Sequence, residues 1–125
     1  MTTLTLVLLF LFAFKHFIAD FVCQTTQMVI EKGQYGAFWG IVHSAIHGLM
    51  TFSILMFATK DITLSFGVSF VDFATHYHID WSKQQLSRNY TYTDKIWWFF
   101  MGLDQLLHYT VYYGIIWYEI GRAHV

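Results

Sequence analysis

Apolar residues recur along this chain in four long blocks, each broken by a few polar side chains at regular spacing. The first block, residues 4–28, opens as LTLVLLFLFAF and then carries Lys15, His16 and Asp20. The second, residues 36–59, holds no Asp, Glu, Lys or Arg; its ionisable side chains are His43 and His47. The third, residues 62–83, is the least apolar, because Asp72, His76, His78 and Asp80 interrupt it. The fourth, residues 95–118, is interrupted by Asp104 and His108. A transmembrane helix needs about 20 mostly apolar residues, so each block reads as a span. The connections, residues 29–35, 60–61 and 84–94, are short enough to join antiparallel neighbours. The pattern therefore predicts an all-α, polytopic membrane protein: an antiparallel four-transmembrane-helix bundle forming one domain over residues 1–118.

Local signals agree. Thr91 and Asp94 are spaced like a capping box, which starts the fourth helix near residue 95. The chain has no proline to kink a long helix. Met-Thr-Thr gives no basic n-region, and polar residues sit where a signal peptide's apolar region would be, so the first block reads as a retained span. Gly36 and Gly40 form a small-xxx-small pair, a mark of close helix contact. Trp39, Trp81, Trp97, Trp98, Tyr112, Tyr113 and Tyr118 lie near span ends and read as interfacial or lipid-facing anchors. Residues 119–125 read like the in-frame translation of a sequencing adapter. The natural chain is expected to be cut off near Tyr118, so Arg122 and His124 are set aside.

Composition narrows the function classes. The 125 residues are 56% hydrophobic and 12% charged, against about 25% charged in soluble domains. A net charge of −1 gives no basic excess, which excludes an electrostatic nucleic-acid binder. The 21% aromatic content excludes a disordered chain. The single cysteine, Cys23, excludes an intrachain disulfide and a cysteine-built zinc site, and reads as a packed small residue.

The polar residues inside the spans carry the chemistry. They fall into four sets: His16 and Asp20; His43 and His47; Asp72, His76 and Asp80; Asp104 and His108. Within each set the spacing is i, i+4, which stacks the side chains on one helix face. In an up-down-up-down arrangement all four stripes lie about 10–15 Å below the face carrying the first and third loops, at ~1.5 Å rise per residue. Four buried Asp cost on the order of 10 kcal/mol on membrane-insertion scales. A divalent ion offsets that cost and matches oxygen and imidazole ligands. The nine residues exceed what one four-coordinate ion requires, so one or two ions are expected, zinc or manganese before iron. Asp80 and Asp104 are candidates for the general base. Gln24, Gln105, Lys15 and Lys83 are candidates for supporting the ligands or meeting a substrate anion; Lys15 reads equally as a snorkelling lysine. His78 is two residues from His76, so it points to another face and reads as interfacial.

His16-x-x-x-Asp20-Phe21-x-x-Gln24, the His43 segment, His76-x-x-x-Asp80-x-x-Lys83 and Leu103-Asp104-Gln105-Leu106-Leu107-His108 together resemble a family of small bacterial and phage membrane proteins. That family is catalogued as domain of unknown function 3307. His47 and Asp72 fall outside the matched motifs and are candidates by spacing alone. The pattern is also distantly similar, by analogy, to membrane-bound metal-dependent hydrolases with His/Asp motifs in their helices.

Four functions compete. The first is a metal-dependent hydrolase acting at the membrane face on a lipid-linked or phosphate-containing substrate, with Lys83 and Arg88 near its phosphate. The second is a divalent-metal carrier or binding protein, for which alternating access would require a homo-oligomer. The third, a haem bundle, is disfavoured by the carboxylates. The fourth is a membrane protein stapled by metal. No Ser-His-Asp pattern supports a covalent serine route. Partners on these readings are membrane lipids, a lipid-linked substrate or a second copy of the chain. Lys32, Lys83, Arg88 and Lys95 flank one side and Lys60 the other, so the positive-inside rule places the chain in the inner membrane with the site toward the cytoplasm.

Overall fold

The computed structural model describes residues 2–123. His124 and Val125, part of the expected adapter sequence, lie outside the described residues. The described chain is all helical. It comprises α1 (Thr3–Phe17), a π turn (Ile18–Val22), a short α2 (Thr26–Glu31), α3 (Phe38–Thr59), α4 (Ile62–Ser87) and α5 (Lys95–Ala123).

Local chemistry explains each boundary. The Thr2 side chain accepts the amide of Thr5 and opens α1. The first helix does not run on to Met28. It ends in the π turn, and Thr25 starts α2 by accepting the Met28 amide. Thr59 closes α3 with Lys60 in a left-handed conformation (φ 56°), and Asp61 caps α4 by accepting the Leu64 amide. Two residues thus reverse the chain. Before α5 the Asp94 carboxylate accepts the Thr91 amide at 2.9 Å, one arm of the expected capping box. The Thr91 hydroxyl turns to Thr93 instead of completing the other arm. α4 continues past Lys83 to Ser87, and α5 past Tyr118 to Ala123.

The long helices form a ring. α3 packs on α4 and α1, and α5 packs on α4 and α1, leaving α1 and α4 across a diagonal. Gly40 and Gly36 play different parts. A Cβ on Gly40 would lie 2.9 Å from the Glu31 carbonyl, so glycine is what lets α3 approach α2 there. A Cβ on Gly36 would meet nothing within 4 Å, so close helix packing does not call for glycine there. Gly36 has φ +85°, a turn conformation suited to glycine, and its amide donates to the Tyr77 hydroxyl at 2.6 Å.

Two helical stretches, Thr3–Val22 and Phe38–Thr59, are long and apolar enough to cross a membrane, with mean hydropathy 1.9 and 1.6. α4 and α5 carry more polar residues. The apolar core sits at one end, where Leu8, Phe12, Ile54, Leu55, Tyr112, Ile115 and Ile116 meet. Tyr112 is therefore a core residue with 1% exposure, not a lipid-facing anchor. Cys23 is exposed just after the π turn, not packed.

Candidate metal centre

The other end of the helices holds the polar stripes. His16, His43, His47, Asp72, His76, Asp80, Asp104 and His108 are all buried, and the Asp20 side chain is 9% exposed. Asp20 lies within the π turn, a feature that recurs at functional sites. Its Oδ2 lies 3.1 Å from His16 Nε2, and its Oδ1 lies 2.7 Å from His47 Nε2 and 3.2 Å from His43 Nε2. Asp80 is the second hub. Its Oδ1 lies 3.0 Å from His108 Nε2, and its Oδ2 lies 3.1 Å from His76 Nε2 and 3.3 Å from His43 Nε2. Five imidazole nitrogens from three helices and the end of α1 thus converge on two carboxylates.

Two groups have ligand atoms close enough to share an ion: Asp20, His43, His47 and His76; and His76, Asp80 and His108. Tetrahedral ligands at about 2.0–2.1 Å from zinc lie about 3.3–3.4 Å apart. In the first group the spacings of 2.7, 3.2, 3.3 and 3.9 Å fall on both sides of that value. His76 belongs to both groups, and one ring nitrogen would serve only one of two ions.

The hydrogen bonds divide the candidate ligands. Lys15 is buried and does not snorkel. Its ammonium donates to Asp72 Oδ2 at 2.9 Å and lies 3.2 Å from His47 Nδ1. An ammonium only donates, so His47 Nδ1 accepts and the ring proton sits on Nε2, aimed at Asp20 Oδ1. His47 is thus already satisfied as a hydrogen-bonded residue. Asp72 also accepts the Thr51 hydroxyl at 2.5 Å and belongs to neither ligand group. His16 pairs through Nδ1 with the Tyr112 hydroxyl and through Nε2 with Gln105 Oε1, both at 2.8 Å. By contrast, His43 Nδ1, His76 Nδ1, Asp80 Oδ2 and Asp104 Oδ1 are buried without a hydrogen bond among the described residues. Such orphans each cost about 1–3 kcal/mol or more unless something else satisfies them.

Supporting residues fall around this cluster. Gln105 donates to Asp104 Oδ2 at 2.9 Å, and Asp104 Oδ1 lies 3.3 Å from His108 Nε2. Gln24 donates to the Asp20 carbonyl and accepts from Lys32 Nζ, at 2.8 and 2.9 Å. Lys32 Nζ lies 3.9 Å from Asp80 Oδ2. His78 faces outward, 2.9 Å from the Tyr35 hydroxyl. Three participants escaped the sequence reading. Thr51 had a signal, lying four residues after His47 on the same stripe. Lys32 read only as a topology marker, and Tyr112 as an anchor, because their partners come from other helices.

The chain belongs to a family described as a protein of unknown function (DUF3307), which it matches over residues 6–123. No curated protein and no solved structure matches it.

Proposed function

We propose that this chain is a four-span membrane protein whose buried His/Asp cluster binds one or two divalent ions, zinc or manganese before iron, and hydrolyses a membrane-associated substrate. One observation carries the reading. Asp80 Oδ2 sits within 3.3 Å of two imidazole Nε2 atoms yet accepts no hydrogen bond among the described residues. An acceptor surrounded by ring nitrogens whose lone pairs can turn toward it is the geometry that a shared cation resolves.

The surface supports the spans. Phe10, Phe14, Phe17 and Phe21 are each more than half exposed along α1 and its π turn, while Lys15, His16 and Asp72 are buried. Apolar side chains outward and charges inward suit lipid and oppose water. Basic residues at the cluster end fit an inner-membrane location with the site toward the cytoplasm.

When bound, the ion would acidify a water and polarise the scissile group. Asp20, His43, His76, Asp80 and His108 would hold it without disturbing the Lys15–His47 contact. Asp104 lies outside both ligand groups and keeps a buried oxygen without a hydrogen bond, which makes it the better of the two general-base candidates. Metal analysis of the purified chain tests the proposal. Wild type should carry divalent ion, and Asp20→Ala or His108→Ala should lower its content. No ion in wild type, or equal content in both variants, would overturn it.

A further inference from the structure

Beside the cluster, the helix stripes continue one turn toward the first and third loops. Gln24 follows Asp20, Lys83 follows Asp80, and Met101 and Trp97 precede Asp104 on α5. These residues, with Lys32 and Ser87, line a cavity of about 260 Å³. Lys32 is 7% exposed and reaches the cavity because Gly40 lets α3 press against the end of α2. Its Nζ is held by Gln24 Oε1 and stands 3.9 Å from Asp80 Oδ2, so the cavity touches the ligand cluster. Lys83 is half-buried, and its ammonium makes no hydrogen bond or ion pair among the described residues. Two partly dehydrated cations therefore face one small cavity, and among the described residues only Lys32 has a partner.

We infer that this cavity seats a phosphoryl anion, held by Lys32 and Lys83 at the edge of the His/Asp cluster. The inference rests on the metal-centre reading, because an ion on Asp20 and Asp80 neutralises those carboxylates and leaves the lysines' charge for a ligand. A phosphoryl group fits the chemistry: several oxygens, at least one negative charge, and room to bridge an ammonium pair and a metal. The walls add Val29, Trp97 and Met101, apolar surface suited to a chain attached to that phosphate. The shared chemistry is the phosphoryl anion, supplied either by an amphiphile's headgroup or by free phosphate.

Titration calorimetry on the full chain in neutral detergent tests this, with inorganic phosphate and dodecyl phosphate as separate probes. Saturable binding of either probe is expected, weakened roughly tenfold or more by Lys83→Gln and by Lys32→Gln, with Lys83→Arg retaining most of it. Tighter binding of dodecyl phosphate assigns the seat to a headgroup; equal binding assigns it to free phosphate. Metal content is measured on the same samples. Metal present without saturable binding of either probe overturns the seat and leaves the metal centre standing. Binding that is indifferent to both glutamine substitutions also overturns it. Binding that depends on the lysines in metal-free protein keeps the seat and removes the metal centre.

Discussion

Leu8, Phe12, Leu55 and Ile116 meet at one end of the helices; His43, His76, Asp80 and His108 meet at the other, and both groups are almost completely buried. The two ends obey different physics. At the apolar end the contacts are dispersive and non-directional, and in the proposed bilayer setting a lipid tail would replace much of what a neighbouring helix gives. At the polar end each atom needs a particular partner, and no lipid would supply one. On that proposal, specific association of these helices rests mainly on the polar end. Tyr112 joins the two, its ring in the apolar core and its hydroxyl on His16.

The contrast breaks most severely at Lys15. Lys15→Met would leave Asp72 buried with Thr51 alone, a loss of about 3–5 kcal/mol for one half of a buried ion pair. Chemical unfolding in detergent should show it, and Lys15→Met with Asp72→Leu should recover most of the loss. A neutral single variant would mean that the polar end does not hold the helices.

Chelation comes next. At an ion concentration a hundredfold above Kd, the proposed ion would stabilise by about 2.7 kcal/mol, so a strong chelator should lower the thermal midpoint by several degrees and re-added ion should restore it. Protons compete with the ion for imidazole and carboxylate, so this increment should shrink as pH falls. A midpoint that ignores the chelator would make the ion loosely held and non-structural.

At the apolar end Leu55→Ala should cost about 2 kcal/mol, the low end for a buried Leu→Ala, while the chelator response stays intact. Loss of that response in Leu55→Ala would show the two ends to be coupled. Smallest of all, His78→Ala should change stability by less than about 0.5 kcal/mol and leave metal content alone, since its ring faces outward to Tyr35.

The all-helical class and the polar stripes were legible because they depend on local periodicity; the π turn and the short α2, which divide the first apolar block, were not. The i, i+4 spacing of His76 and Asp80 fixes a shared face wherever the helix lies. Three features were not legible, and each depends on a partner distant in sequence. Asp72 has the spacing of a ligand, but the Lys15 side chain reaches across the diagonal from α1 to pair with it. Cys23 has the composition of a core residue, yet the π turn leaves it outside. Gly36 and Gly40 match one motif but do different work, because only Gly40 meets another segment's backbone.

The sequence by itself determined that this chain would form long helices with inward polar stripes, since backbone hydrogen bonding and side-chain periodicity are properties of each segment alone. Tertiary structure decided which members of a stripe point at one another. It set Asp20 and Asp80 as hubs, placed the Lys15 ammonium against both His47 and Asp72, and brought Lys32 from a loop-side helix to the edge of the cluster. The physical reason is that ring order, crossing diagonal and the inserted π turn set distances between helices, and hydrogen bonds and coordination respond to those distances at the scale of tenths of an ångström.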